Sequence, residues 1–238
     1  AAMQLFVDKG LSFNQNINSY LKTWKLESNH FTKKSPVTLS LLLQHRAGIT
    51  GARFSGYYTN EKIPTINQIL NGKPPAKNPP ATVVRKPGSK MVYSPIGYTI
   101  VQKLIEDVAN EKFATVMKNI VLSPIGMDHS TFQQRLLKHA ASSYLPSGKL
   151  IPHSPMVFPE QAAGGLWTTP TDLAKFMITI QKEYNHLSSK PFSKAVILHF
   201  LTPGANKNWS NGIEVNVNKY GEQKSHGNYF MHSGDNSG

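Results

Sequence analysis

The sequence predicts an α+β fold, in which a mainly helical part is followed by an antiparallel sheet. Three observations predict it. Between Thr38 and Leu201, apolar residues recur at spacings of three and four in several separate runs. From Trp209 the period changes to two, with Ile213, Val215 and Val217 alternating with Glu214, Asn216 and Asn218. The two regimes meet at Pro203-Gly204, where a helix cannot continue. This divides the chain into residues 1–27 (a helix end and a connector), 28–207 (the helical part) and 208–238 (the first strands of a sheet).

Each element follows from local chemistry. Ala1, Ala2, Leu5 and Phe6 fall on one side of a helix, and Gly10 supplies its C-terminal stop. Ile17, Tyr20, Leu21 and Trp24 form an apolar cluster in a loop or single turn. Thr38 caps a helix from Leu39 to His45, and Ala47-Gly48-Ile49-Thr50-Gly51 marks a tight turn. Prolines at 74–75 and 79–80 make most of residues 52–86 a loop, with one helical patch near Ile66 to Leu70. Pro87-Gly88 turns into a short β-prone run, Met91-Val92-Tyr93. After Pro95, residues Ile96, Ile100, Val101, Leu104, Ile105 and Val108 predict a helix to about Asn110. Another starts near Phe113 and ends at Pro124-Ile125-Gly126.

Residues 129–160 read as irregular, and Ala162-Ala163-Gly164-Gly165-Leu166 as a segment needing unusual backbone angles. Thr169 then caps a helix with Pro170 at its first position and Asp172 in its first turn, beside the positive end of the dipole. Leu173, Phe176, Met177 and Ile180 are expected to face inward. A further helix covers Ser193 to Leu201. Lys219 to Ser225 reads as a polar turn, and Gly227 to His232 as the hairpin partner of the strand through Val215.

Composition narrows the function classes. At 238 residues and 39% hydrophobic content, the chain can bury a substantial core. With no cysteine, it has no disulfide, thiolate metal site or cysteine nucleophile. The 26 basic and 13 acidic residues leave a net charge of +13. The basic residues are scattered, with no run of five or six and no aromatic-interleaved signature, which argues against nucleic acid and for an anionic envelope or acidic polymer. The nine histidines include no H-E-x-x-H and no close pair with a carboxylate at helical spacing, so no zinc site is expected, and no cofactor is expected either. His45 reads as a residue bracing a loop. No apolar run reaches membrane-spanning length.

Tyr93 stands where a strand-like segment turns into a helix, a junction that can hold a side chain at a cleft mouth. By residue type, Tyr93 and Tyr98 also fit half-buried core aromatics with a polar tip. His232 fits either a strand-edge structural residue or a catalytic one.

The ordered stretches Met3-Gln4-Leu5 with Gly10-Leu11, Val37-Thr38-Leu39 to Gly48-Ile49, Pro87-Gly88 to Tyr98, Pro124 to Met127, Ala163 to Ala174 and His232 to Asn236 resemble the penicillin-recognising serine hydrolases. Within them the resemblance lies on the class C β-lactamase, DD-peptidase and related esterase side, and it covers nearly the whole chain. It implies a helical subdomain beside an antiparallel sheet, with the cleft between, and acyl transfer through a serine ester.

Matched residue by residue, Tyr93 corresponds to the family's Y-x-N tyrosine, a general base or acid. His232, Ser233 and Gly234 correspond to the strand motif K-T-G or H-x-G, and the backbone N–H of Asp235 to the oxyanion donor beyond it. Pro95 stands where many members have asparagine, and it cannot hydrogen bond a substrate amide.

The family's S-x-x-K pair is expected on the order of ten residues before Ala1, on the first turn of the same helix. The chain is therefore expected to be an internal part of a longer protein and inactive alone. Ser19-Tyr20-Leu21-Lys22 matches the pattern in a loop-like context that does not suit a nucleophile. The implied substrate is a β-lactam, a D-amino-acid peptide derived from peptidoglycan, or an ester, and the implied location is extracytoplasmic. The competing expectation is a non-catalytic relative that binds peptidoglycan or a partner protein.

Overall fold

The fold is organised around α4 (Pro95–Ala109). Ser94 begins it by accepting the Gly97 N–H on its Oγ, Pro95 presets the first turn, and Asn110 ends it in the left-handed region. Ile96, Ile100 and Leu104 are fully buried, each stabilising the fold by about 1.5–3 kcal/mol relative to exposure. The helix is covered on nearly every side, so its polar residues are buried too and fix the surrounding loops. Gln102 donates to the Pro159 carbonyl and accepts the Ala162 N–H. Asp107 pairs with Lys103 at 2.9 Å and accepts the Lys22 N–H at 2.7 Å.

In this computed structural model, residues 1–51, 54–134, 140–153, 155–185, 191–216 and 228–234 are described. Around α4 pack α1 (Ala2–Asp8), α2 (Leu39–Leu43), α3 (Ile66–Leu70), α5 (Phe113–Met117) and α7 (Gln161–Gly164). Phe6, Leu42 and Leu70 complete one core with the α4 stripe. A π turn at Lys118–Leu122 joins α5 to α6 (Ser123–Ile125). The helix α8 (Pro170–Tyr184) packs on α9 (Lys194–Leu201). The hairpin is β1 (Glu214–Asn216) against β2 (Tyr229–Met231), antiparallel, with Val215 opposite Phe230. Val215 is buried and Phe230 packs on the main core. That packing supports a hairpin too short to be stable by itself.

The predicted caps at Thr38 and Thr169 and the helix stop at Gly10 all form, and Ser193 proves to be the cap of its helix. Four expectations are corrected. Met91-Val92-Tyr93 is not a strand: Val92 donates to the His45 carbonyl rather than into a ladder. The helix from Leu39 stops at Leu43, because His45 takes a positive φ of 52°.

In α8, Leu173 and Met177 are exposed, because the buried side carries Asp172 and Ile180 instead. Asp172 is held inward by the His129 N–H, the Ser130 hydroxyl and Lys175. Gly164 and Gly165 have ordinary backbone angles within and just after α7. Gly165 is needed for space, since a Cβ there would lie 2.6 Å from the Gln161 Cα. Val217, the 219–225 turn and Gly227 fall outside the described residues.

Candidate active site

Tyr93 immediately precedes the α4 cap, and the segment carrying it is pinned to the chain just beyond α2. Gly88 donates to the Arg46 carbonyl, and the Arg46 guanidinium donates to the Gly88 carbonyl. The Ser94 hydroxyl donates to the Thr50 carbonyl at 2.9 Å. Such fixed turns hold Tyr93 at the surface, 49% exposed, at the start of the most buried helix in the core. Its partial burial raises the phenol pKa above the ordinary tyrosine value.

The other side of the site comes from the hairpin. His232 directly follows β2, exposed, with Nδ1 2.6 Å from the Ser233 carbonyl. Trp209 lies between the two parts, its ring centroid 6.2 Å from Tyr93 and 5.6 Å from His232. The Trp209 indole N–H and the Tyr98 hydroxyl both donate to the Leu43 carbonyl at the end of α2, at 3.3 and 3.0 Å. That carbonyl has no further helical turn to accept from, so the two aromatic donors serve as its cap. Gln44 adds a bond to Asn211 at 3.0 Å. These contacts tie residues 209–213, and the hairpin after them, to the helical part.

Tyr93 and His232 are thereby brought to a ring separation of 6.3 Å. Ser233 and Gly234 adjoin His232 and are exposed, and among the described residues beyond its chain neighbours no atom lies within 4 Å of where a Gly234 Cβ would stand. Asp235 falls outside the described residues. Tyr98 is partly buried and its hydroxyl is committed to the Leu43 carbonyl, so removal from solvent drives its pKa well up and it serves packing.

His45 forms the floor and is the participant that sequence reasoning left as a loop brace. Its ring packs 4.2 Å from Tyr93, 5.0 Å from Tyr98 and 5.1 Å from Trp209. Burial, and next the nearby His232, push its pKa down to about 4, so it is neutral at pH 7. The available signal was a histidine between an apolar helical run and Ala47-Gly48. Trp209 was read only as the start of a strand.

This arrangement offers proton transfer from a phenol and an imidazole, open to solvent on one side. Ser94 is not a free nucleophile, since its oxygen both donates to Thr50 and accepts from Gly97. Ser19 follows suit: it ends a 3-10 turn, Ile17–Ser19, and its hydroxyl donates to the Asn16 carbonyl at 2.7 Å. Among the described residues, no group of three His, Asp or Glu residues could hold a metal. An apolar cavity of about 250 Å³ lies behind Tyr98 and Leu43, lined by Met3, Val101, Phe176 and Phe200. Among the described residues Tyr98 contributes its only titratable side chain, so it is not where the chemistry gathers.

The β-lactamase family matches residues 1–238 of this chain. A putative penicillin-binding protein, PbpX, of Bacillus subtilis strain 168 is 25% identical over 226 residues, covering 92% of this chain and 51% of the relative. The octameric penicillin-binding protein homologue from Pyrococcus abyssi superposes with a TM-score of 0.67 at 25% identity, over 93% of this chain and 52% of that one. The D-amino acid amidase from Ochrobactrum anthropi SV3 superposes with a TM-score of 0.70 at 18% identity, over 100% of this chain and 66% of that one, a likeness of fold. The chain spans about half the length of the curated relatives it matches, from 42% to 51%.

Proposed function

The chain belongs to the β-lactamase family, and from that premise we propose that it forms one wall of a serine hydrolase site working through an acyl-enzyme. The observation that carries the reading is the meeting of Tyr93, from the helical part, with His232, from the hairpin, at 6.3 Å across an open face. Tyr93 is the proton-transfer group. It takes the proton from a serine hydroxyl as that oxygen attacks the substrate carbonyl, then returns it to the leaving nitrogen or oxygen as the tetrahedral intermediate collapses.

With its pKa raised by partial burial, Tyr93 holds its proton in this chain. An adjacent cation is what turns such a phenol into a base, and the lysine of an S-x-x-K pair has that role in the proposal. His232, Ser233 and Gly234 bind the acyl side of the substrate, and the Asp235 N–H joins the oxyanion hole. The substrate is a β-lactam, a D-amino-acid peptide of peptidoglycan origin, or an ester, met outside the cytoplasm. The net charge of +13 favours association with an anionic envelope. Among the described residues, no helix is long and apolar enough to cross a membrane.

Incubation with a fluorescent penicillin, followed by intact-mass measurement, tests the reading. The full-length protein carrying this chain is expected to gain one acyl group, and the 238-residue chain alone to gain none. A stoichiometric adduct on a serine of this chain would overturn the assignment.

Pro95 favours a second reading, a non-catalytic relative that binds peptidoglycan. It gives α4 a rigid first turn but offers no amide at the position where many relatives carry one. Salt-sensitive pull-down by purified cell wall, without turnover of ester or β-lactam probes by the full-length protein, supports that alternative.

A further inference from the structure

We infer that His45 is a positioning residue for Tyr93, and that it holds the tyrosine only as a neutral imidazole, so that a proton added to its Nδ1 releases the grip. The inference rests on the reading of Tyr93 as the proton-transfer group. Its geometry stands apart from that reading.

One residue holds Tyr93 on three sides. The His45 carbonyl accepts the Val92 N–H at 2.9 Å, on the residue before the tyrosine. His45 Nδ1 accepts the Ser94 N–H at 3.1 Å, on the residue after it. Between these bonds the imidazole packs against the phenol ring, with centroids 4.2 Å apart and planes tilted by 39°.

The arrangement is costly. His45 is only 4% exposed, and its φ of 52° is unfavourable for a residue with a Cβ. Its Nε2 is buried without a hydrogen-bond partner among the described residues. The other positive-φ residues outside glycine have plainer explanations. Asn110 is a helix C-cap, a usual left-handed position, and His153 is exposed in a turn. A strained, buried and half-satisfied imidazole that clamps both neighbours of the candidate catalytic tyrosine suits a positioning role better than filling space.

The tautomer follows from the bond. Because Ser94 donates, Nδ1 presents its lone pair and the ring proton sits on Nε2. A proton arriving from solvent at Nδ1 faces the Ser94 N–H with a second N–H. The bond is lost, and Ser94 is also the cap of α4. Among the described residues, the titratable groups facing the imidazole are Tyr93, Tyr98 and His232. None is a carboxylate that would stabilise the cation, and the Tyr98 hydroxyl is already committed.

The test labels the 238-residue chain with ¹⁵N-histidine and ¹³Cζ-tyrosine. At pH 7, His45 is expected to carry its proton on Nε2. On acidification, the Tyr93 signal is expected to move with the same midpoint as His45, well below that of an ordinary histidine. His45→Asn keeps an acceptor near Nδ1 and tolerates positive φ. It should leave Tyr93 near its wild-type position at pH 7 and abolish the acid transition. His45→Leu should shift Tyr93 at every pH, and if that variant does not fold, the wild-type titration and the asparagine variant decide the matter.

A proton on Nδ1 at pH 7 would sink the proposal. So would a Tyr93 signal indifferent to the His45 titration, or an asparagine variant as displaced as wild type at low pH. In the full-length protein, His45→Asn should retain kcat within about fivefold, while His45→Leu lowers it at least tenfold. An inactive full-length protein with the coupled titration intact would refute the hydrolase reading and leave the clamp standing.

Discussion

Two buried titratable groups make the stability of this fold respond to pH in opposite directions, and removing either one uncovers the other. His45 is neutral in the fold, its pKa pushed down from 6.5 to about 4 by burial. Unfolded chains therefore take up the proton first as pH falls, and stability is lost between about pH 6.5 and 4. Glu160, also buried, has an Oε2 with no hydrogen-bond partner among the described residues, and its pKa is pushed up from 4.5 to about 7. Here the unfolded chain releases its proton first as pH rises, so stability is full below 4.5 and lost by about 7.

Each displacement is worth about 3 kcal/mol of stability. Across pH 4.5 to 6.5 the two contributions cancel. Urea denaturation of wild type, His45→Asn and Glu160→Gln at pH 4, 5, 6 and 7 checks this. Relative to wild type, Glu160→Gln should gain about 3 kcal/mol between pH 4 and 7, and His45→Asn should lose a similar amount over that range. Parallel pH profiles for the three proteins would refute the reasoning, because they would mean that neither group changes its proton affinity on folding.

Two further predictions concern what holds the site in place. Gly48→Ala should cost roughly 3 kcal/mol or more in thermal or urea unfolding, since φ is +73° and a Cβ would meet the Arg85 carbonyl oxygen at 2.3 Å. Asp107→Ala leaves Lys103 buried without its 2.9 Å partner, at a cost of about 3–5 kcal/mol, yet should leave the Tyr93 ring signal unmoved.

The parts of this architecture written in local chemistry were legible in the sequence. Thr169-Pro170 with Asp172 specified the start of α8, and the alternation around Val215 specified a hairpin strand with a buried face. Tyr93 and His232 could be picked out, but their meeting could not. It depends on Trp209 and Asn211 binding the end of α2, contacts made across more than 160 residues of chain.

His45 shows the limit most clearly. Its significance lies in a positive φ and a bond to Ser94, and neither has a period or a motif. Met91-Val92-Tyr93 has strand-prone residues but no strand beside it. The Val92 N–H goes instead to the His45 carbonyl, so propensity yields to a tertiary partner. The inward expectation for Leu173 and Met177 failed because Asp172, a residue ordinarily assigned to solvent, is buried with its own set of donors.

The central claim, that Tyr93 transfers the proton in an acyl-transfer site, is tested most directly by the acylation rate of full-length Tyr93→Phe with a fluorescent penicillin. The ring and its packing against His45 are kept, and only the hydroxyl is removed. The account predicts that acylation slows by about 10²–10⁴-fold, with thermal stability within about 1 kcal/mol of wild type. Acylation at the wild-type rate in a folded Tyr93→Phe protein would contradict it.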